Sequence, residues 1–162
     1  MTVGGIQLID RAEAAARLPE FDSLLELALT AQRRARAPYS NFRVGAAVLA
    51  GSGAAFAGCN VESASYGATI CAERSALVGA VVAGETEIRA CVVVTPTAEP
   101  SSPCGICRQL LREFGTELLV FAASSVSDSV YAARLGDLLP VSFGPNNLTG
   151  VAADAGATGG DA

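Results

Sequence analysis

Residues 88–122, IRACVVVTPTAEPSSPCGICRQLLREFGTELLVFA, decide the fold of this protein. Residues 88–95 are apolar around Cys91-Val92-Val93-Val94 and predict a buried strand. A loop rich in Pro and Ser precedes a helix expected over 104–114, and residues 117–122 predict another strand. Because strands alternate with helices, the stretch implies an α/β sandwich with a partly parallel sheet.

The flanking residues extend this alternation in both directions. They predict helices over 21–35 and 71–83, a hairpin of strands 42–50 and 54–58, and a weaker strand over 129–134. Residues 150–162 are rich in Gly and Ala without any periodicity, which predicts a disordered tail. We therefore expect a single domain over residues 1–149, followed by this tail.

The overall composition limits the classes of function. The chain has 162 residues, a net charge of −5, eleven cationic side chains that are all Arg, and no His. The acidic charge argues against a protein that binds polynucleotides. The absence of His excludes Ser–His and Cys–His hydrolases and any His-ligated metal site. No apolar stretch is long enough to span a bilayer and no signal peptide is visible, so we expect a soluble, cytoplasmic protein that binds no membrane.

The cysteines carry the most specific chemical signal. Cys104 and Cys107 form a Cys-x-x-Cys pair at a predicted helix start, where the helix dipole favours thiolates. The pair is open to three interpretations: a redox dithiol, two buried structural thiols, or part of a metal site. Metal binding is favoured, because the cytosol keeps thiols reduced and the flanking residues lack an aromatic redox context.

Cys71 supplies a third candidate ligand at another predicted helix start. Three thiolates would leave one position of a tetrahedral zinc site open, as in catalytic rather than structural sites. Cys59 is a rival fourth ligand at a strand end. Free cysteines are commonly buried, however, so we expect Cys59 and Cys91 to be core residues.

The interpretation of the residues next to the cysteines changes if the cysteines bind a metal. A Glu in a helix usually faces solvent, but beside an open zinc position Glu73 becomes a candidate general acid and base. Zinc deaminases have this arrangement, with three ligands, a Glu that binds no metal and a Pro-Cys-x-x-Cys unit. Arg74 is either a surface helix residue or a donor that withdraws charge from the thiolates, and we expect Arg108 to be engaged with thiolates as well.

Five motifs follow one another between residues 37 and 148. They are PYSNFRVGAA at 38–47, GCNVESASY at 58–66, CAER at 71–74, SPCGICRQ at 102–109 and LLPVSFGP at 138–145. Together they resemble the small homotetrameric cytidine deaminases, although Ser63 stands where that family commonly has Asn. The resemblance implies a catalytic domain with a three-layer α/β/α sandwich around a central mixed sheet. It also implies one Zn²⁺ per chain on Cys71, Cys104 and Cys107.

The same resemblance implies the reaction and the residues that bind its substrate. Water activated at zinc would add to C4 of cytidine or 2′-deoxycytidine, while Glu73 relays protons to ring N3 and to the leaving ammonia. The implied substrate contacts are Phe42 as a pocket wall, Asn60 and Glu62 on the ribose, Tyr66, backbone groups of Ala72, and Phe143 over the site of a neighbouring chain in the tetramer.

Three other functions remain open at this point. A blasticidin-type nucleoside-analogue deaminase shares the Cys-Ala-Glu and Pro-Cys-x-x-Cys units, although Asn60, Glu62 and the Phe-Gly-Pro segment favour a plain nucleoside. A polynucleotide deaminase conflicts with the acidic charge. A non-catalytic zinc-binding module would make Glu73 incidental, and zinc analysis with Glu73 variants separates it from an enzyme.

Overall fold

The computed structural model describes residues 2–3 and 5–148, so the predicted tail at 150–162 lies outside the described residues. The helices are α1 (Arg11–Arg17), α2 (Phe21–Arg33), α3 (Ala72–Val82), α4 (Gly105–Leu111), α5 (Leu135–Leu138) and α6 (Pro145–Leu148). The strands are β1 (Thr2–Val3), β2 (Ile6–Ile9), β3 (Gly45–Ala50), β4 (Ala55–Cys59), β5 (Ile88–Thr95), β6 (Leu119–Ser124) and β7 (Val130–Arg134). None of the helices in these residues has the length and apolar composition needed to span a bilayer.

All of these strands belong to one mixed sheet in the order β1-β2-β7-β6-β5-β3-β4. β5 and β6 are parallel, in a register that pairs Ala90 with Leu119, and every other neighbouring pair is antiparallel. The parallel pair is joined through α4, since antiparallel strands can be linked by a tight turn whereas parallel strands need a crossover. The predicted partly parallel sheet is therefore confirmed.

Side chains that alternate along the strands build a core on each face of the sheet. Leu49 and Val92 belong to the core beneath α1 and α2. Val48 and Val93 point to the other face, where the core includes residues of α3, α4 and α5. Helices on both faces of a mixed sheet form the three-layer α/β/α sandwich that the family resemblance implies.

Two glycines let helices lie directly on the sheet. A Cβ added to Gly45 in β3 would lie 1.9 Å from the carbonyl oxygen of Ala28 in α2. A Cβ added to Gly58 in β4 would lie 2.3 Å from the backbone nitrogen of Ala76 in α3. Any side chain at these positions would displace the helix. The contact at Gly58 therefore sets the position of α3, whose first turn carries the site described below.

The N-terminal elements β1, β2 and α1 were not predicted from the sequence. β1 and β2 are two and four residues long, too short to show a hydrophobic period. α1 does carry a local signal, because the side chain of Asp10 accepts a hydrogen bond from the N–H of Glu13 at 2.8 Å. An Asp followed three residues later by Glu is typical of a helix start.

Boundaries elsewhere differ by a few residues. The helix expected over 104–114 is α-helical only to Leu111 and ends in a 3₁₀ turn, Arg112–Phe114, before Gly115 with φ 123°. The strand expected over 117–122 begins two residues later, at Leu119. The short helices α5 and α6 were also not predicted, since four residues are too few for a helical period.

Candidate active site

Three cysteines converge at the N-terminal ends of α3 and α4. Cys71 and Cys104 are the N-cap residues of these helices, and Cys107 lies in the first turn of α4. The Sγ of Cys104 lies 3.8 Å from that of Cys71 and 3.5 Å from that of Cys107, and all three sulfurs lie within 4.8 Å of one another. In a tetrahedral site with Zn–S bonds of ~2.3 Å, the sulfurs are about 3.8 Å apart. The three thiols therefore fit zinc.

The thiols of this cluster perturb one another. Hydrogen bonding from Cys107 lowers the pKa of Cys71 most strongly, and Cys104 and Arg74 lower it further. The same interaction with Cys71 raises the pKa of Cys107. The dipole of α3 also favours a thiolate at Cys71, which lies at the N-terminus of that helix.

Neither Cys59 nor Cys91 joins the cluster in the described part of the chain. Cys91 is fully buried in the middle of β5, and this burial raises the pKa of its thiol. Its predicted place in the core is confirmed. Cys59 ends β4 and is only half-buried, so its predicted place in the core is wrong. The strand end leaves it outside both cores.

Glu73 lies buried next to the thiols, in the first turn of α3. The residue is only 4% exposed. Burial raises the pKa of its carboxyl, and the charge of Cys71 raises it further, whereas a hydrogen bond with Cys107 acts in the opposite direction. A carboxyl whose protonated form is favoured at such a position can hold and release a proton.

The guanidinium of Arg74 folds back over the segment before α3. Its Nη2 donates to the carbonyl oxygen of Thr69 at 2.6 Å, and its charge contributes to the lowered pKa of Cys71. Its Nε is buried and has no hydrogen-bond partner among residues 2–3 and 5–148. Arg74 is thus directed toward the thiol cluster rather than toward solvent.

Arg108 has a different role from the one expected. Its Nε donates to the carbonyl oxygen of Pro103 at 2.7 Å, its Nη1 to that of Leu138 at 3.0 Å, and its Nη2 to the hydroxyl of Ser102 at 2.7 Å. The prediction that Arg108 is engaged with thiolates is therefore wrong. Two backbone carbonyls, beside α4 and at the end of α5, and the Ser102 hydroxyl occupy its donors instead.

Asn60 organises the segment that carries Phe42. The residue is 8% exposed. Its Nδ2 donates to the carbonyl oxygen of Phe42 at 2.9 Å, and its Oδ1 accepts from the N–H of Val44 at 2.8 Å. Phe42 is half-buried. Asn60 therefore holds the backbone on both sides of the aromatic ring.

Glu62 and Tyr66 share a cavity of about 430 Å³ with Tyr39, Ser40 and Thr69. The rings of Tyr39 and Tyr66 meet edge to face, with centroids 6.1 Å apart. Hydrogen bonds from the Ser40 hydroxyl and the Tyr39 N–H lower the pKa of the Glu62 carboxyl. The carbonyl of Thr69 accepts from Arg74, so this cavity adjoins the residues around the thiols.

Tyr39, Ser40 and Thr69 were not predicted as residues of the site. The signal that could have found two of them is the Pro-x-x-Asn sequence at 38–41. Pro and Asn favour a tight turn, and the N–H groups of such a turn are available to an acceptor. Thr69 has no comparable local signal.

The remaining predicted contacts lie at two separate places. Ala72 is fully buried at the start of α3, between Cys71 and Glu73. Phe143 does not line the cavity that holds Glu62. Its carbonyl oxygen accepts from Gln109 Nε2 at 3.0 Å, and the residue is 59% exposed. Within one chain, Phe143 therefore does not share the cavity of Glu62.

Similarity to known proteins agrees with this arrangement. Residues 20–123 match the family model for the cytidine and deoxycytidylate deaminase zinc-binding region. A cytidine deaminase of Sporosarcina psychrophila is 36% identical over 130 residues, which cover 80% of this chain and 96% of that relative. This chain belongs to the cytidine deaminase family.

Solved cytidine deaminases share its fold. One from Burkholderia pseudomallei superimposes with a TM-score of 0.71 at 46% identity, over 75% of this chain and 98% of that one. One from Mycobacterium tuberculosis gives a TM-score of 0.67 at 40% identity, over 77% and 98%. As a cytidine deaminase family member, the chain is a hydrolase with a zinc-binding region. Its Cys71, Cys104 and Cys107 suit one Zn²⁺ per chain.

Proposed function

We propose that this protein hydrolyses cytidine and 2′-deoxycytidine to uridine and 2′-deoxyuridine with release of ammonia. The observation that carries the proposal is the buried carboxyl of Glu73 next to three thiols spaced for zinc. A metal site with an open position and an adjacent proton-transfer group is what hydrolytic deamination needs. Membership of the cytidine deaminase family supports the nucleoside substrates.

The chemistry divides between the thiols and Glu73. Cys71, Cys104 and Cys107 would hold the zinc ion, which when bound lowers the pKa of a water molecule. Glu73 takes a proton from the attacking water and delivers it to ring N3 as the water oxygen bonds to C4. Glu73 then takes the remaining proton from the new C4 hydroxyl and passes it to the exocyclic nitrogen. The C4–N bond breaks, the C4 oxygen becomes a carbonyl and ammonia leaves. Arg74 offsets part of the thiolate charge beside this centre.

The other predicted residues would hold one nucleoside. Phe42 forms a wall for the base, and the backbone of Ala72 meets its edge. Asn60 and Glu62 bind a ribose hydroxyl, for which the lowered pKa of Glu62 supplies an ionised acceptor. Tyr66 closes the same cavity. The described residues that line this cavity include no cation, and the carboxylate of Glu62 would repel a phosphate, so nucleotides should be poor substrates.

The assembly would complete the site. We propose a homotetramer of catalytic domains, each comprising residues 1–149, in which Phe143 covers the substrate of a neighbouring chain. The exposure of Phe143 and its absence from the lining of the Glu62 cavity within one chain support this arrangement. A cytoplasmic location is also proposed, because three zinc-binding thiols need a reducing compartment.

The test is an ultraviolet absorbance assay of purified protein with several compounds at equal concentration. Cytidine and 2′-deoxycytidine should be converted, whereas cytosine, cytidine monophosphate, blasticidin S and single-stranded oligonucleotides should react poorly. Metal analysis should find about one zinc per chain. A preference for the nucleotide, the antibiotic or the oligonucleotide over cytidine would show that the nucleoside assignment is wrong. If the purified protein contains no zinc, the proposed zinc-dependent mechanism is wrong.

A further inference from the structure

The turn at residues 38–41 holds the side chain of Glu62 with three hydrogen bonds. The hydroxyl of Ser40 donates to Oε1, while the N–H groups of Tyr39 and Ser40 donate to Oε2 at 2.9 and 3.3 Å. Asn41 closes the turn in the left-handed region, with φ 57°, which Asn adopts more readily than most residues. The turn therefore presents three donors to one carboxylate.

The same hydroxyl of Ser40 also holds the segment that carries Phe42. Its oxygen accepts a hydrogen bond from the N–H of Phe42 at 2.9 Å. The carbonyl oxygen of Phe42 is held by Asn60, also at 2.9 Å. One hydroxyl thus connects the carboxylate of Glu62 with the backbone of Phe42.

These bonds restrict what Glu62 can recognise. A carboxylate has about four lone-pair sites, and the turn occupies three of them. The carboxylate therefore keeps about one free acceptor site, whose direction is set by the turn. An acceptor of this kind pairs with one hydroxyl at one position and leaves a substrate without that hydroxyl poorly bound.

We propose that Ser40 is a positioning residue that sets recognition of a single ribose hydroxyl through Glu62, namely the 3′-hydroxyl that cytidine and 2′-deoxycytidine share. The inference rests on the proposed nucleoside deaminase function. It concerns how tightly and how selectively the sugar is held, and it leaves proton transfer at Glu73 unchanged. Ser40 acts through Glu62 and does not itself contact the reacting atoms.

Steady-state kinetics with cytidine and 3′-deoxycytidine test this role. In Ser40→Ala, kcat/KM for cytidine should fall about tenfold, because a hydrogen bond to a charged group is lost at an exposed position. The fall should come from KM, with kcat nearly unchanged. The preference of the wild-type protein for cytidine over 3′-deoxycytidine should shrink by a similar factor, since 3′-deoxycytidine has no hydroxyl for Glu62.

Ser52 offers a matched control at the opposite end of the β3–β4 hairpin. Its hydroxyl also donates to a glutamate, Glu85, at 2.6 Å and accepts from the N–H of the residue two positions on, Ala54, at 3.2 Å. Ser52→Ala should leave KM and the sugar preference unchanged. Ser40→Thr, which keeps a hydroxyl, should restore the preference, and thermal unfolding should show that each variant is folded.

The outcomes separate this inference from the proposed function. Ser40→Ala with the wild-type KM and sugar preference would refute the role of Ser40. Loss of that KM and preference in Ser52→Ala, or in a folded Ser40→Thr, would refute it as well. In each case the deaminase function stands. If the wild-type protein does not convert cytidine, the proposed function is wrong and the inference falls with it.

Discussion

Glu73 differs from an ordinary helix carboxylate in its surroundings. A glutamate in the first turn of a helix is usually solvated, where it interacts favourably with the helix dipole. Here the residue is only 4% exposed, and burial raises the pKa of its carboxyl. Burying a charged group costs several kcal/mol, so a carboxyl at such a position is explained by a function there. Proton transfer next to the thiol cluster provides one.

Replacing Glu73 by Gln should therefore abolish turnover without removing zinc. The amide keeps the shape of the side chain but cannot relay protons, so kcat should fall by ~10⁴-fold or more, the upper end of general acid–base catalysis. The matched control is Glu26→Gln, a change at an exposed position of α2 that should leave kcat unaltered. Turnover by Glu73→Gln within tenfold of wild type, about 1.4 kcal/mol, would contradict the proposed mechanism.

The helix α3 shows how an element places several chemical groups together. It begins immediately after Cys71 and carries Glu73 and Arg74 in its first turn. Its depth against the sheet is set at Gly58 of β4, where no side chain separates strand and helix. A shift of the helix would thus move a thiol, a carboxyl and a guanidinium at once.

Gly58→Ala should displace α3 and weaken the metal site. The added Cβ would lie 2.3 Å from the nitrogen of Ala76 and 2.6 Å from the carbonyl oxygen of Ala72, so the helix must move. Overpacking of this kind typically costs about 1–3 kcal/mol. We expect a lower unfolding temperature and faster loss of zinc to a chelator.

The control for this variant lies on the same helix. A Cβ added to Gly79 meets nothing within 4 Å. Gly79→Ala should leave zinc retention unchanged and raise stability by up to about 1 kcal/mol through helix propensity. If Gly58→Ala has the wild-type unfolding temperature and rate of zinc loss, the position of α3 does not depend on this contact.

For the whole molecule, an exposed apolar strip on α3 is the main feature that the single chain leaves unexplained. Val78, Val81 and Val82 are 57%, 51% and 83% exposed, at the three- and four-residue spacing of one helix face. Contiguous exposed apolar residues are typical of protein interfaces. A second copy of the chain is the occupant that the proposed tetramer supplies.

Val82→Glu should therefore dissociate the assembly. A charge buried without a partner at an interface costs several kcal/mol, so light scattering should report a smaller species, and activity should fall with it. Zinc should stay bound, because the thiols lie at the opposite end of α3. The control Val126→Glu, 65% exposed in the loop between β6 and β7, should change neither property. A fully active wild-type monomer would refute the shared site.

Much of the fold and of the metal site was predictable because the signals are local. The strand Ile88–Thr95 was predicted with its observed bounds, since a mostly apolar run of eight residues is typical of a buried strand. The Cys-x-x-Cys pair lies within one turn of α4, where the helix geometry itself brings the two thiols together. The short elements β1 and β2 lacked such signals, because they depend on pairing, of β2 with β7 and of β1 with β2, rather than on their own sequence.

The sequence by itself determined the alternation of strands and helices, the three thiols and the glutamate beside them. Only the tertiary structure decided which distant groups meet. Ser40 reaches Glu62, Arg108 is bound by Leu138 rather than by thiolates, and Cys59 stays outside both cores. The partners of Ser40 and Arg108 and the burial of Cys59 all depend on segments that are far apart along the chain. How the helices pack on the sheet decides them, and no local sequence pattern does.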